Sequence, residues 1–120
     1  MDSLSKKILD SDRSILSLTI NDDKGEIMGR AFSPEYERKY LELAKEIRTK
    51  AGLFSALIFG ITSEPEKVFG KIEGIVRIYA DAKLILIPFA SKKLMATLLT
   101  KKTAETDLVL KKVRPLLKVG

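Results

Sequence analysis

The sequence predicts an α+β fold: a helix, a two-strand hairpin, a long helical region, a three-strand meander and a closing helix. Three observations carry this order. Leu16, Leu18 and Ile20 alternate with polar residues just before the turn Asn21-Asp22-Asp23-Lys24-Gly25. An apolar stripe then recurs every three or four residues from Tyr36 to Ile61. Short apolar runs punctuated by turn residues fill the stretch from Ile75 to Leu99. The chain has 120 residues, which suits one domain spanning 1–120.

Taken in order, Ser3 to Asp10 reads as a short amphipathic helix with Leu4, Ile8 and Leu9 on one face. Ser14–Ile20 reads as a half-buried strand, and Glu26–Ala31 as its return. Between them, Asn and Asp favour bonds from side chain to backbone, and Gly25 can supply a positive φ. Ser33-Pro34-Glu35 has the features of a helix start, with a capping hydroxyl and a proline at the first position. The stripe Tyr36, Tyr40, Leu43, Ile47, Ala51, Phe54, Ile58, Ile61, extended by Val68, Phe69 and Ile72, makes 34–70 mainly helical. Gly52 and Pro65 are expected breaks or kinks, and Gly70 a C-cap. A buried strand over Leu53–Ile61 is the competing reading; the unbroken phase of the stripe favours helix.

The last third alternates quickly. Ile75–Tyr79 is β-branched and aromatic, and is expected as an outer strand. Leu84–Ile87 is apolar on both faces, as in a central strand covered twice, and Leu94–Leu99 is the fifth strand. A final helix, capped by Thr103 or Thr106, carries Leu108, Val109, Val113, Leu116 and Leu117 and is ended or bent at Pro115.

Composition narrows the chemistry. Without His or Cys there is no Ser-His-Asp triad, no Cys-His nucleophile and no zinc finger. Gly70-Lys71-Ile72 has the Gly-Lys of a phosphate loop, but Ile72 stands where Ser or Thr is needed. Asp10-Ser11-Asp12-Arg13-Ser14 begins like a calcium loop, yet Ile15 stands where its glycine should be. Asp22, Asp23 and Glu26 form an acidic turn that reads as solvated rather than metal-binding. No catalytic residue, cofactor site or metal site is therefore expected, and no enzymatic activity. The start is polar, and the longest uncharged stretch, Ala51 to Ser63, is shorter than the ~20 residues of a spanning helix. A cytoplasmic protein without a membrane span is the expectation.

The net charge of +6 is uneven: residues 1–60 are neutral, and 61–120 hold the whole excess. Lys92-Lys93, Lys101-Lys102 and Lys111-Lys112 supply most of it. Lys92, Lys93, Lys101 and Lys102 are the candidates for weak anion contacts. The first two pairs should sit at opposite ends of the fifth strand rather than in one groove. With aromatics at 7 %, nucleic acid is not the favoured partner.

The order of elements resembles the Roadblock family, small profilin-like domains of dynein light chains and of archaeal and bacterial GTPase regulators. Ser14–Met28 resembles that family's opening hairpin. Gly74–Tyr79, Lys83–Phe89 with Pro88, and Leu94–Thr100 resemble its closing meander, and Thr103–Leu117 its terminal helix. The helical region is longer than the family's usual central helix, Glu35–Lys50 standing as added length. The resemblance implies a profilin-like domain, with a five-stranded antiparallel sheet and helices on both faces. It also implies a dimeric scaffold or regulator that binds a small Ras-like GTPase, with no shared catalytic motif. Arg13, Arg30, Arg38, Arg48, Arg77 and Arg114 are present, and nothing marks one as a finger for a partner's phosphate.

Two features suggest a homodimer: the outer strand's unpaired backbone and the unusually apolar Phe54–Phe59. The candidate dimer or partner surface is Phe54, Leu57, Ile58, Ile61, Ile75, Arg77 and Tyr79. The alternative is an anion- or nucleic-acid-binding domain using the lysine-rich last third, whose binding would weaken steeply with salt. A small-ligand sensor is a third reading.

Overall fold

The computed structural model describes residues 1–36, 42, 63–90 and 93–117. Helix α1 (Asp2–Ser11) leads into β1 (Ile15–Asp22), β2 (Ile27–Phe32) and a 3-10 turn, Pro34–Tyr36. A short helix α2 (Ser63–Phe69) precedes β3 (Ile75–Ile78), β4 (Ala82–Phe89), β5 (Leu94–Lys101) and the closing α3 (Thr106–Leu117). The strands form one sheet in the order β2-β1-β5-β4-β3, every pair antiparallel. The expected middle of the central helix, with Gly52, Phe54, Leu57, Ile58 and Ile61, lies outside the described residues.

Register builds the core. Leu18, Leu98 and Ile85 align across β1, β5 and β4, and Ile20, Ala96 and Ile87 form the next row. All six are buried, and Ile8 of α1 with Val109, Val113 and Leu117 of α3 seals that face. The four-residue spacing of the α3 positions keeps them on one stripe. At about 25 cal/mol per Å² of apolar surface, each such side chain contributes roughly 1.5–3 kcal/mol on burial.

Several expectations need correction. β1 is not half-buried: Ser17, Thr19 and Asn21 on its second face are as buried as Leu18 and Ile20. A bulge between Ile15 and Ser17 shifts the phase, so Ile15 rather than Leu16 joins Leu18 and Ile20 in the core cluster. β4 is interior, but β5 holds the middle of the sheet. Pro65 lies near the start of the described α2, and the residues before Ser63, where its break or kink was expected, lie outside the described residues. Pro115 does not end α3, which continues to Leu117. Thr106 is its first helical residue rather than a cap. Leu108 is 42 % exposed, off the buried stripe. Gly70 does close α2, with φ of 89° and its N–H donated to Glu66 O.

The β1–β2 turn forms as its residues dictate. Asp22 Oδ1 accepts from the amides of Lys24 (2.9 Å) and Glu26 (2.8 Å), and Gly25 takes φ of 86°. That carboxylate is thus engaged by backbone. Among the described residues no cluster of three His, Cys, Asp or Glu side chains could hold a metal ion.

The α1–β1 connection is set by Asp12. Its Oδ1 accepts from Ser14 N (2.8 Å) and Ser14 Oγ (2.7 Å), while Oδ2 meets Lys112 Nζ of α3 at 3.0 Å. Ser14's hydrogen bonds, ahead of Lys112, lower the Asp12 carboxyl from 3.8 to about 2. A carboxylate with a depressed folded pKa stabilises above its unfolded pKa, and that contribution is lost as pH falls from about 4 to about 2. Asp12→Ala is expected to cost about 1–2 kcal/mol at pH 7 and almost nothing at pH 2, by denaturant unfolding. Lys112→Gln, removing the weakest contributor at a 43 % exposed site, should cost under about 0.5 kcal/mol.

Candidate functional site: the open edge of the sheet

The two edges of the sheet are built differently. β2 is covered by the first turns of α1, whereas no described strand or helix lies along the outer side of β3. Tyr79 N donates to Ala82 O at 2.9 Å, closing the β3–β4 turn. Backbone groups alternate along a strand, so Tyr79 and its odd-numbered neighbours face β4, and Val76 and Ile78 direct their N–H and C=O outward.

Side chains follow the same alternation. Val76 pairs across to Ile85 and Ile78 to Lys83, which places both on the face shared with α1 and α3. On that face Val76 is 38 % and Ile78 66 % exposed. Ile75 and Arg77 pair with Leu86 and Leu84 on the opposite face. Ile75 is packed against a small cluster of Leu86, Met95 and Leu84, so it supports the edge rather than offering itself. Arg77 is exposed and has a partner of its own. Tyr79, at 49 % exposure, stands at the end of the strand, its carbonyl accepting from Lys102 Nζ at 2.7 Å.

Of the candidate surface residues, then, Ile75 and Arg77 lie on the outer strand and Tyr79 directly follows it, while Phe54, Leu57, Ile58 and Ile61 lie outside the described residues. Val76 and Ile78 are apolar, exposed and on the edge, yet sequence reasoning passed over them. The signal was the strand's parity, which is set by its register on β4.

A second exposed apolar feature is Val68-Phe69 at the end of α2, 76 % and 86 % exposed. The stripe placed these two on a packed helical face; the helix instead turns them outward. They are held there by a built cap: besides Gly70, Glu66 Oε2 accepts from Ile72 N at 3.0 Å.

The lysines divide. Lys93 and Lys101 stand at the two ends of β5, about 25 Å apart at 3.3 Å per residue. Lys92 lies outside the described residues. Lys102 is tied to Tyr79 O, Lys112 to Asp12, and Lys83 Nζ to Ala104 O at 2.8 Å. Three ammonium groups thus satisfy backbone or carboxylate oxygens of this chain, where a strip for an anionic polymer would need them facing outward. A shallow cleft of about 330 Å³ lies beside Ile72, Ile87, Phe89 and Leu117, with Arg114 paired to Glu73 at 2.6 Å on its rim. Among the described residues no helix is long and apolar enough to cross a membrane.

No protein-family model matches the sequence, and no characterised protein aligns with it. Solved structures do match in shape. A Roadblock/LC7 domain from Streptomyces avermitilis superposes with a TM-score of 0.68 at 13 % identity, covering 98 % of this chain and 92 % of that one. Myxococcus xanthus MglB matches with a TM-score of 0.64 at 13 % identity, over 98 % and 85 %. Acanthamoeba castellanii profilin IA matches with 0.62 at 9 % identity, over 98 % and 93 %. At such identities the likeness is one of fold. The chain has the five-stranded, profilin-like architecture that Roadblock domains share.

Proposed function

We propose that this protein is a non-enzymatic, homodimeric interaction module whose partner is a small Ras-like GTPase. The observation that carries the dimer is the β3 edge, where outward backbone groups and exposed Val76, Ile78 and Tyr79 coincide. An edge of this kind is a template for strand addition. Two copies can satisfy it reciprocally about a two-fold axis, continuing the sheet from one chain into the other. The cytoplasmic setting belongs to the same reading.

The GTPase partner is supported by the Roadblock-like fold, with MglB and MglC from Myxococcus xanthus among the similar structures. Fold alone does not assign a partner, so binding itself is the test. Immobilised protein, offered purified Ras-like GTPases from its own source loaded with GDP or a non-hydrolysable GTP analogue, should retain one of them. Retention should differ at least about tenfold between the two nucleotide states, since those states reorder the switch loops that partners read. Equal or no retention in both states would reject the GTPase reading. A nonspecific charge attraction would instead fade steeply between about 50 and 200 mM salt.

A further inference from the structure

The opposite edge of the sheet carries a guard. Ser33 N donates to Leu16 O at 2.8 Å, so Ala31 and Gly29 bond to β1 and Arg30 between them turns its backbone groups outward, up to the bulge that shifts the register at Met28. Arg30 thus presents its amide on the outer side of the edge strand. Its N–H is taken by Asp2 Oδ1 at 3.1 Å, from a residue 28 positions earlier in the chain. The reach depends on Gly29: a Cβ there would lie 2.8 Å from both Met1 Cβ and Ser5 Oγ, and 2.9 Å from the Met1 carbonyl carbon. Only glycine lets the first turn of α1 settle onto β2 closely enough for Asp2 to bend over the edge. Ser5, which is fully buried, fixes the turn further by donating its hydroxyl to Met1 O at 3.0 Å.

We infer that Asp2 is an assembly terminator: it closes the β2 edge to a second copy of this chain. The partner it excludes follows from the sheet. Once two β3 edges are joined, the sheet still ends in a β2 strand on each side, and pairing of these strands between dimers would propagate into an open ribbon. A carboxylate across the Arg30 amide removes the donor that a new strand would need, and adds a charge that an incoming carbonyl row repels. Arg30's exposed side chain is a second brake, because symmetric pairing would set two guanidinium groups side by side. The ribbon rests on the β3-edge reading above; the blocking of β2 does not.

The experiment compares the 120-residue chain with Arg30→Thr, Asp2→Ala/Arg30→Thr and Asp2→Asn/Arg30→Thr by light scattering across concentration. Asp2 is exposed, so the fold should persist, checked by circular dichroism and the thermal midpoint. Arg30→Thr alone should keep the parent's mass, since Asp2 still holds the amide of residue 30. The Asp2→Ala double variant should grow, its average mass rising at least about twofold between roughly 10 and 200 µM. The Asp2→Asn double variant should not grow, because the amide oxygen still accepts. Adding Met28→Lys, a charge at an exposed position of the same edge strand, should suppress the growth. A folded Asp2→Ala double variant of unchanged mass would overturn the inference, as would equal growth of Arg30→Thr alone. A parent that is monomeric while the double variant grows would reject the β3 dimer and leave the terminator standing.

Discussion

Replacing Leu98 by alanine is expected to cost about 2–5 kcal/mol, among the largest losses for a single truncation of the described residues. Leu98 is fully buried on the middle strand, between Leu18 and Ile85 and beneath α1 and α3. Rigid strands on both sides cannot collapse into the space left behind, so a cavity term adds to the lost transfer energy. Leu99, its half-buried neighbour on the other face, should cost clearly less when changed to alanine. Urea unfolding curves give both values. A cost for Leu98 under about 1 kcal/mol would mean that the two rows of apolar residues are not the packed centre.

Replacing Ile78 by aspartate should separate the two copies while leaving each one folded. In the single chain Ile78 is 66 % exposed, so the change should move the thermal midpoint by only a few degrees. In a β3–β3 pair it would bury an unpartnered carboxylate in the joint, which costs more than about 3 kcal/mol, or over a hundredfold in the dimer constant. Val76→Asp should act in the same direction and less strongly, because Val76 is already partly covered at 38 % exposure. Two variants that keep the parent's mass would place the interface away from the β3 edge.

What was legible in the sequence was whatever local chemistry decides. Asn21-Asp22-Asp23-Lys24-Gly25 forms its turn through Asp22 and Gly25 because those residues carry the required bonds and dihedral within five positions. Gly70 caps α2 for the same reason. The order of strands and the terminal helix followed from apolar periodicity.

The missed features are set by distant parts of the chain. Ser17 and Thr19 look solvent-facing by alternation, yet they are buried because β1 lies inside the sheet with both faces covered. Val76 and Ile78 look like core by composition, yet they are exposed on β3, the last strand of the sheet. The Asp2–Arg30 bond could not be read at all: it joins a helix start to a strand across 28 positions. Gly29 was the available hint, a glycine inside a strand where another backbone approaches.

The most direct test of the β3-edge module is sedimentation equilibrium of the unmodified protein at tens of micromolar, at physiological salt. The account predicts a single species of twice the chain mass, unchanged when salt is raised, because the joint is made of backbone bonds and apolar side chains. A species of one chain mass across that range would contradict it.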